Sequence, residues 1–198
     1  MKRKFTLVLL FLSLSPFASF AQKGSSAEAK KVDSLARSVD RMTGRRKSPD
    51  LVFADTADYE ADKPKWTTFK SIEELDKFQE SHEIYSIAYN WRSKGKLLAT
   101  NFTFSSPSGD WAQYVDHYFG PDGSTALVKA ELRTFEDDCV IKQKYYFDRK
   151  GRRFRRTVAY FDLNTNKRKK PCLGADELKF DYYRSVTALP FAELLKKK

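Results

Sequence analysis

The sequence predicts a mainly β fold: an antiparallel meander of about six to eight strands, in a strongly curved sheet or open barrel with short flanking helices. Two observations predict it. From residue 84 to residue 161, aromatic and β-branched residues dominate with a strand-like period. Within that stretch Gly95, Gly123 and Gly151 lie 28 residues apart both times, each after an aromatic-rich run. This spacing predicts three hairpin repeats of 28 residues.

Each predicted hairpin turns at one of these glycines, because the last turn residue needs a positive φ angle that glycine adopts without strain. Residues 105–109 and 136–138 are linkers short enough for successive strands to pair in order. The resulting sheet has an apolar face that must be covered. We therefore expect it to curl around a helix or to close into an open barrel.

The first 21 residues have the pattern of a cleavable secretory signal peptide. Residues 2–4 are basic, residues 5–14 are apolar, and small residues precede a predicted cut after Ala21. The apolar run is about half the ~20 residues that a membrane-spanning helix needs. We therefore predict a secreted or periplasmic protein with no transmembrane segment in its mature chain.

Residues 22–65 form a polar N-terminal segment that contains only two aromatic residues, Phe53 and Tyr59. Within it, apolar residues recur at helical spacing and predict one short amphipathic helix that ends near Gly44. Its apolar stripe consists of Val32, Leu35, Val39 and Met42. Residues 45–63, with prolines and scattered aspartates, predict a flexible linker. Residues 66–198 are then a single β-rich domain.

A second short helix is predicted over residues 71–81. Ser71 and Glu74 form a capping box, in which each side chain binds a backbone N–H group of the other residue. Ile72, Leu75 and Phe78 supply its buried face. At the other end of the chain, we expect a short return after residues 164–166, a last strand over 178–183 and a terminal helix over 189–198.

The third predicted hairpin carries a recognisable motif. It reads Tyr145-Tyr146-Phe147-Asp148-Arg149-Lys150-Gly151-Arg152. These eight residues resemble the Y-x-x-D-x-x-G-R hairpin of the YD repeats in large secreted bacterial proteins. The resemblance implies a twisted hairpin, and no function is carried over from it.

The only two cysteines, Cys139 and Cys172, are predicted to form a disulfide, because an exported protein meets an oxidising compartment. If both lay in strands of the meander, one strand would separate them by about 9 to 10 Å, beyond the ~7 Å limit between bridged Cα atoms. Pro171 resolves this conflict if it ends strand pairing and lets the chain swing over.

Positive charge is concentrated late in the chain. The net charge is +11, and between Lys142 and Lys170 twelve basic residues accompany two acids. This segment predicts a surface for anionic lipid, polysaccharide or another polyanion. The predicted anion-binding residues are Lys142, Lys144, Arg149, Lys150, Arg152, Arg153, Arg155 and Arg156.

In the tightest hairpin registers Lys144 lies opposite Arg155 or Arg156, and directly opposed like charges destabilise a sheet. The alternative interpretation is therefore a solvated edge strand whose charges block strand-to-strand aggregation. The two interpretations stay open at this point.

Few residues support catalysis or metal binding. The two histidines, His82 and His117, belong to no HExxH or paired CxxC motif, and GxSxG and phosphate-loop patterns are absent from the sequence. We predict that His82 caps a helix and that His117, in a strand, is exposed or half packed. We name no catalytic residue, no metal ligand and no cofactor.

The sequence thus favours a non-enzymatic binding or interaction module with a basic hairpin surface for anionic partners. One alternative is a hydrolase-type enzyme whose site is assembled spatially in the curved sheet. Another is a carrier of an apolar ligand on an aromatic inner face. That face would contain Trp91, Phe102, Phe104, Trp111, Tyr118 and Phe119.

Overall fold

The computed structural model describes residues 18–45, 48–172 and 180–196, with backbone alone at 18–25 and at 45. Eight antiparallel strands form one sheet, so the predicted mainly β fold is confirmed. The strands are β1 Leu51–Asp55, β2 Trp66–Phe69, β3 Ser86–Ser93, β4 Lys96–Ser105, β5 Trp111–Phe119, β6 Thr125–Thr134, β7 Cys139–Phe147 and β8 Arg153–Asp162. The α-helices of these residues are α1 Ala18–Arg45, α2 Ile72–Gln79 and α3 Ala192–Lys196.

Strands β3 to β8 pair in sequence order, which confirms the predicted meander. At the start of the chain the order changes, because β1 lies between β2 and β3. Strands β2 and β8 therefore form the two edges, and the sheet is not closed into a barrel. Among the described residues no helix is long and apolar enough to cross a bilayer.

Strand β1 lies where the sequence predicts a flexible linker, and for Leu51–Asp55 that prediction is wrong. Val52, Phe53 and Ala54 are almost completely buried. The strand is covered on both faces, so its apolar residues form a short continuous run instead of an alternating pattern. Its short length and its polar flanks hide this signal in the sequence.

The predicted turns at Gly95, Gly123 and Gly151 are confirmed, with φ angles of 75°, 79° and 71°. The first turn is a two-residue loop in which Lys94 also has a positive φ angle, between the paired Ser93 and Lys96. The other two turns are longer and are closed by matching backbone hydrogen bonds, from the N–H groups at positions 120 and 148 to the carbonyls at 124 and 152. The three hairpins therefore share a glycine but not one turn geometry.

Both faces of the sheet are covered. Helices α1 and α2 pack on one side, here called the helix face, where Leu75 of α2 belongs to one buried cluster with Val52 of β1 and Phe69 of β2. The chain at 180–196 crosses the opposite side, here called the C-terminal face. There Phe191 stacks on Phe53 with ring centroids 4.5 Å apart. This arrangement leaves mainly the strand ends and turns for binding.

Helix α1 is longer than the predicted amphipathic helix and uses most of the predicted stripe. Val39 is buried and Val32 and Leu35 pack beside it against the sheet, whereas Met42 is 38% exposed. Two alanines, Ala29 and Ala36, are also buried on this face. The helix already includes residues 18–21, so it runs through the predicted cleavage point. Residues 1–17 lie outside the described residues, and the signal peptide stays a prediction.

Helix α2 confirms the predicted cap with one difference. Ser71 Oγ accepts a hydrogen bond of 3.3 Å from the Glu74 N–H group. The Glu74 carboxylate accepts from the N–H of Lys70, one residue before the N–H that a capping box uses. The Ser71 half of the predicted capping box is therefore present, whereas the Glu74 carboxylate binds the N–H group of the preceding residue.

The C-terminal predictions are partly wrong. Residues 180–183 are not a strand, while 178–179 lie outside the described residues. Instead, the chain is tied to the sheet by an isolated bridge between Ser124 and Ser185. The predicted terminal helix reduces to α3 within 192–196, and positions 197–198 lie outside the described part. The return after residues 164–166 is a single bridge between Phe161 and Arg168.

Candidate anion-binding surface

The predicted anion-binding residues lie on β7, on β8 and in the turn between them. Because β8 is an edge strand, its arginines stand at the border of the sheet. The side chains of Arg153, Arg155 and Arg156 are all exposed. These three residues are called the arginine edge below.

The arginine edge is divided between the two faces of the sheet. Directly opposed residues in an antiparallel pair share a face. Arg156 is opposite Tyr145, whose ring contacts Phe180 on the C-terminal face. Arg155 is opposite Tyr146, which packs on the helix face. The structure therefore does not collect the predicted residues into one flat patch.

Each guanidinium of the arginine edge lies over a tyrosine ring. Arg153 and Arg156 are 4.7 Å and 5.7 Å from the ring centroid of Tyr145, and Arg155 is 5.6 Å from that of Tyr146. Both tyrosines are buried and therefore fixed in position. Cation–π contacts order a guanidinium but leave its charge in place.

Ion pairs separate the predicted site residues into two groups. Arg152 Nε is 2.9 Å from Asp148 Oδ2, and Lys142 Nζ is 3.2 Å from Glu131 Oε2. The arginine edge has no ion pair within the described ranges, and the only side-chain acceptor found there is Gln143 Oε1, 3.2 Å from Arg156 Nε. Its positive charge is therefore not neutralised by a described carboxylate.

The predicted opposition of Lys144 to Arg155 or Arg156 is wrong. A register shift between Tyr146 and Phe147 places Lys144 opposite Thr157. Since Tyr146 pairs with Arg155 and Phe147 with Arg153, β8 has one extra residue at Phe154, and this bulge moves every later pair by one position. The like charge opposite Lys144 lies instead on β6, at Lys129.

Lys129 belongs to a polar cluster that the sequence reasoning missed. Its Nζ donates to Asp40 Oδ2 of helix α1 at 3.1 Å and to the Tyr118 hydroxyl at 2.8 Å. The Tyr118 hydroxyl donates in turn to Asp40 Oδ1 at 2.6 Å. One heptad earlier on the same helix, Asp33 accepts from the Tyr146 hydroxyl at 3.0 Å. The seven-residue spacing of these two aspartates beside an apolar stripe is the signal that could have found them.

This cluster holds helix α1 and is poorly suited to nucleophilic chemistry. Burial, helped by the hydrogen bond to Asp33, raises the pKa of Tyr146 to about 12. Burial, with a contribution from Asp116, raises the pKa of Tyr118 well above its ordinary value. Burial also raises the pKa of Asp116, although a hydrogen bond of 2.8 Å from Asn101 opposes this effect. Phenols with raised pKa stay protonated at neutral pH.

His117 is completely buried, so the prediction that it is exposed or half packed is wrong. Its Nε2 accepts a hydrogen bond of 3.0 Å from the Tyr183 N–H group and so fixes the C-terminal segment on the sheet. Burial lowers the pKa of His117 to about 3. The ring is therefore neutral and structural. His82 confirms its predicted role, since its Nδ1 lies 3.1 Å from the Phe78 carbonyl at the end of α2.

The predicted disulfide between Cys139 and Cys172 is present, with its Cα atoms 6.5 Å apart. The chain turns back after β8 at Asn166, and the Lys169 N–H group donates to the Tyr160 carbonyl. This return places Cys172 over the start of β7, as the predicted swing requires. Disulfides of this kind are typical of proteins outside the reducing cytoplasm.

No family model, curated protein or solved structure matches this chain. Within the described ranges no group of three or more His, Cys, Asp or Glu side chains is arranged to hold a metal ion.

The aromatic residues of the predicted inner face do not line one common interior. Phe102 and Phe119 belong to the core of the C-terminal face, whereas Trp91 and Tyr118 pack on the helix face under α1. Phe102 contacts Phe191 with ring centroids 5.7 Å apart. On the C-terminal face, the Phe102 ring is therefore covered by the protein's own C-terminal segment.

A cleft of about 450 Å³ lies between α1 and the turns at Gly123 and Gly151. Its apolar walls include Leu35 and Phe147. Charges of both signs surround it, and they are carried by Glu28, Lys31, Asp122, Asp148 and Arg149. Because three acidic and two basic side chains surround it, the cleft has no single sign of charge that would select an ionic ligand.

Proposed function

We propose that this protein is an exported, non-enzymatic binding module that holds polyanions at the arginine edge. The supporting observation is the combination of three exposed guanidiniums on an edge strand with two buried tyrosines beneath them. The tyrosines lower the entropy lost when a guanidinium is immobilised by a ligand. The absence of a paired carboxylate in the described residues leaves each charge available to an anion.

The division of these arginines between two faces favours one class of polyanion. A flat membrane surface meets one face of an edge strand at a time, whereas a flexible chain can contact both. Arginine also binds carboxylate groups through two parallel hydrogen bonds, and an acidic polysaccharide can carry such groups along its chain. An acidic polysaccharide is therefore the partner that this geometry supports best, ahead of anionic lipid.

Export is part of the proposal. The N-terminal pattern predicts removal of residues 1–21, and the disulfide between Cys139 and Cys172 accords with an oxidising compartment. N-terminal sequencing of protein recovered outside the cytoplasm tests this point, and Gln22 is the expected first residue.

Binding to immobilised heparin at increasing salt tests the function. Arg153→Glu, Arg155→Glu and Arg156→Glu together are expected to abolish salt-sensitive retention, because exposed charges attract a polyanion only while salt does not screen them. The matched control reverses Lys63, Lys65 and Lys70, three exposed lysines at the opposite, β2 edge. It changes the net charge equally and is expected to remain bound.

Equal losses in both triple variants would mean that net charge alone causes retention and would overturn the proposal. Unchanged retention of the arginine variant would overturn it as well. Vesicles of anionic and of neutral lipid form a second arm. Stronger binding to anionic vesicles than to heparin would replace the polysaccharide with a lipid surface.

A further inference from the structure

A second cleft, far from the arginine edge in the strand order, has a different chemistry. Its volume is about 310 Å³, within the range of small-molecule sites. It lies between the loop joining β1 to β2, the residues before β3 and the turn that joins β4 to β5. Four aromatic residues line it, namely Tyr59, Tyr85, Phe104 and Trp111. It is called the aromatic cleft below.

Two of these aromatic residues are unusually accessible. Tyr59 is 72% exposed and Trp111 is 39% exposed, although both are large and largely apolar. Tyr59 contacts Tyr85 edge to face, with ring centroids 5.5 Å apart. Exposed aromatic side chains gathered around a cleft mark ligand-binding surfaces more often than isolated ones do.

The charges around the aromatic cleft have one sign. Asp55, Asp58 and Glu83 are among its lining residues, and no lysine, arginine or histidine is. This is the reverse of the protein as a whole, which carries a net charge of +11. Carboxylates beside the negative faces of aromatic rings produce a potential that repels anions and attracts cations.

The loop that carries Tyr59 is held in place before any ligand arrives. Asp55 Oδ1 accepts hydrogen bonds from the N–H groups of Ala57 at 3.0 Å and Lys65 at 2.7 Å. The Thr56 N–H group donates to the Lys65 carbonyl at 2.9 Å. These bonds close the loop at its base and reduce the entropy that ligand binding has to overcome.

We propose that the aromatic cleft binds a small organic cation whose ammonium group lies between the rings of Tyr59, Tyr85 and Trp111, beside the carboxylates of Asp58 and Glu83. Ammonium ions over aromatic faces gain cation–π attraction, and the carboxylates add Coulombic attraction at short range. The site is independent of the polyanion proposal, because it uses other residues and the opposite charge.

Titration calorimetry of the purified protein with choline tests this inference. The matched ligand is 3,3-dimethyl-1-butanol, which has nearly the shape of choline but no charge. We expect saturable binding of choline and at least about tenfold weaker binding of the neutral alcohol. Absence of choline binding, or equal binding of both compounds, would overturn the proposal.

Variants locate the site. Trp111→Ala removes one aromatic wall of the cleft. The double variant Asp58→Asn with Glu83→Gln removes two negative charges and keeps the side-chain shapes. Each variant is expected to weaken choline binding about tenfold. Phe135→Ala is the control, because Phe135 is 68% exposed but does not line the aromatic cleft. Unchanged melting temperatures confirm folding. Equal affinity in all variants would place the ligand elsewhere and would overturn the assignment.

A neutral sugar is the competing small ligand, since aromatic faces also stack on sugar rings. Methyl glucoside is therefore titrated in parallel. Binding of the glucoside without binding of choline would show a carbohydrate site and contradict the cation proposal. Heparin retention of the same variants is expected to stay unchanged, so failure at this cleft is distinguishable from failure at the arginine edge.

Discussion

The Tyr118 hydroxyl in the middle of the sheet donates a hydrogen bond of 2.6 Å to Asp40 of helix α1. The two residues are 78 positions apart in the chain, and Lys129 contacts both of them. This bond, together with the one between Asp33 and Tyr146, fixes the position of α1 across the helix face. The helix is therefore held by polar contacts as well as by its small apolar stripe.

Asp40→Ala is expected to destabilise the protein by about 1 to 2 kcal/mol, because it removes the acceptor of the Tyr118 hydroxyl and the partner of Lys129. Thermal unfolding measures this as a lower melting temperature. Asp62→Ala, at an exposed position, is the control. If both variants melt alike, the polar contacts do not stabilise α1.

Stability is expected to fall at high pH through Tyr146. Its folded pKa of about 12 lies above the ordinary value of 10, so its contribution is complete below pH 10 and is lost as the pH rises through 12. Urea unfolding between these pH values measures the loss. Tyr146→Phe is expected to reduce the dependence of the free energy of unfolding on pH. Tyr59→Phe, at an exposed position, is expected to leave this dependence unchanged.

His117 is expected to make the protein less stable in mild acid. Its folded pKa of about 3 lies below the ordinary value of 6.5. Between these pH values the imidazole is protonated in the unfolded chain and neutral in the folded chain. The stabilising contribution is present above pH 6.5 and decreases as the pH falls towards 3. His117→Gln is expected to reduce this dependence, while His82→Gln is expected to retain it. Identical pH profiles of the two variants would contradict this role.

Phe53→Ala is expected to cost about 3 to 5 kcal/mol, because the ring is fully buried and stacks on Phe191. Chemical denaturation measures the loss. A linker residue would tolerate the same change, as Tyr59→Ala is expected to show. A small loss of stability in Phe53→Ala would contradict the place of β1 in the sheet and would support the flexible linker that the sequence predicts.

The disulfide is expected to contribute about 3 to 4 kcal/mol, because it closes a loop between positions 33 residues apart. The contribution is the difference in the free energy of unfolding between the oxidised native chain and the double variant Cys139→Ala with Cys172→Ala, and the reduced native chain is the control. Detection of two alkylatable thiols in the native exported protein would refute the bridge.

Replacing the arginine edge by threonine is expected to cause self-association, because β8 then presents a neutral edge strand of high β propensity. The glutamate variant keeps a charged edge and is expected to sediment with the same mass as the native chain. Sedimentation of both variants with the native mass would show that the arginines do not protect the edge. Polyanion binding by the arginine edge and its protection of β8 against self-association are thus measured by separate experiments.

Several features could be predicted from the sequence because they depend on residues that are close together in the chain. The glycines at 95, 123 and 151 fix three turns because few other residues adopt their φ angles. Ser71 starts α2 because its hydroxyl binds an N–H group only three residues away. These features depend on neighbours in sequence, so the six strands of the three hairpins and their meander order could be predicted from them.

Other features depend on contacts between distant parts of the chain. The buried state of His117 depends on a segment 66 residues later, and the role of Asp40 depends on a sheet that forms after it. The register of β8 depends on a single bulge, which no alternation pattern reveals. The site is affected in the same way, because one shifted residue decides which face each arginine occupies.

The sequence by itself therefore determined the class of the fold, its turns, its cysteine pair and the place of its charge. Only the tertiary structure decided that β1 belongs to the sheet, that the arginines lie over Tyr145 and Tyr146 on opposite faces, and that an aromatic cleft is lined by acids. The physical reason is range. Turn and strand preferences act over a few residues, whereas burial and pairing depend on which distant surfaces meet.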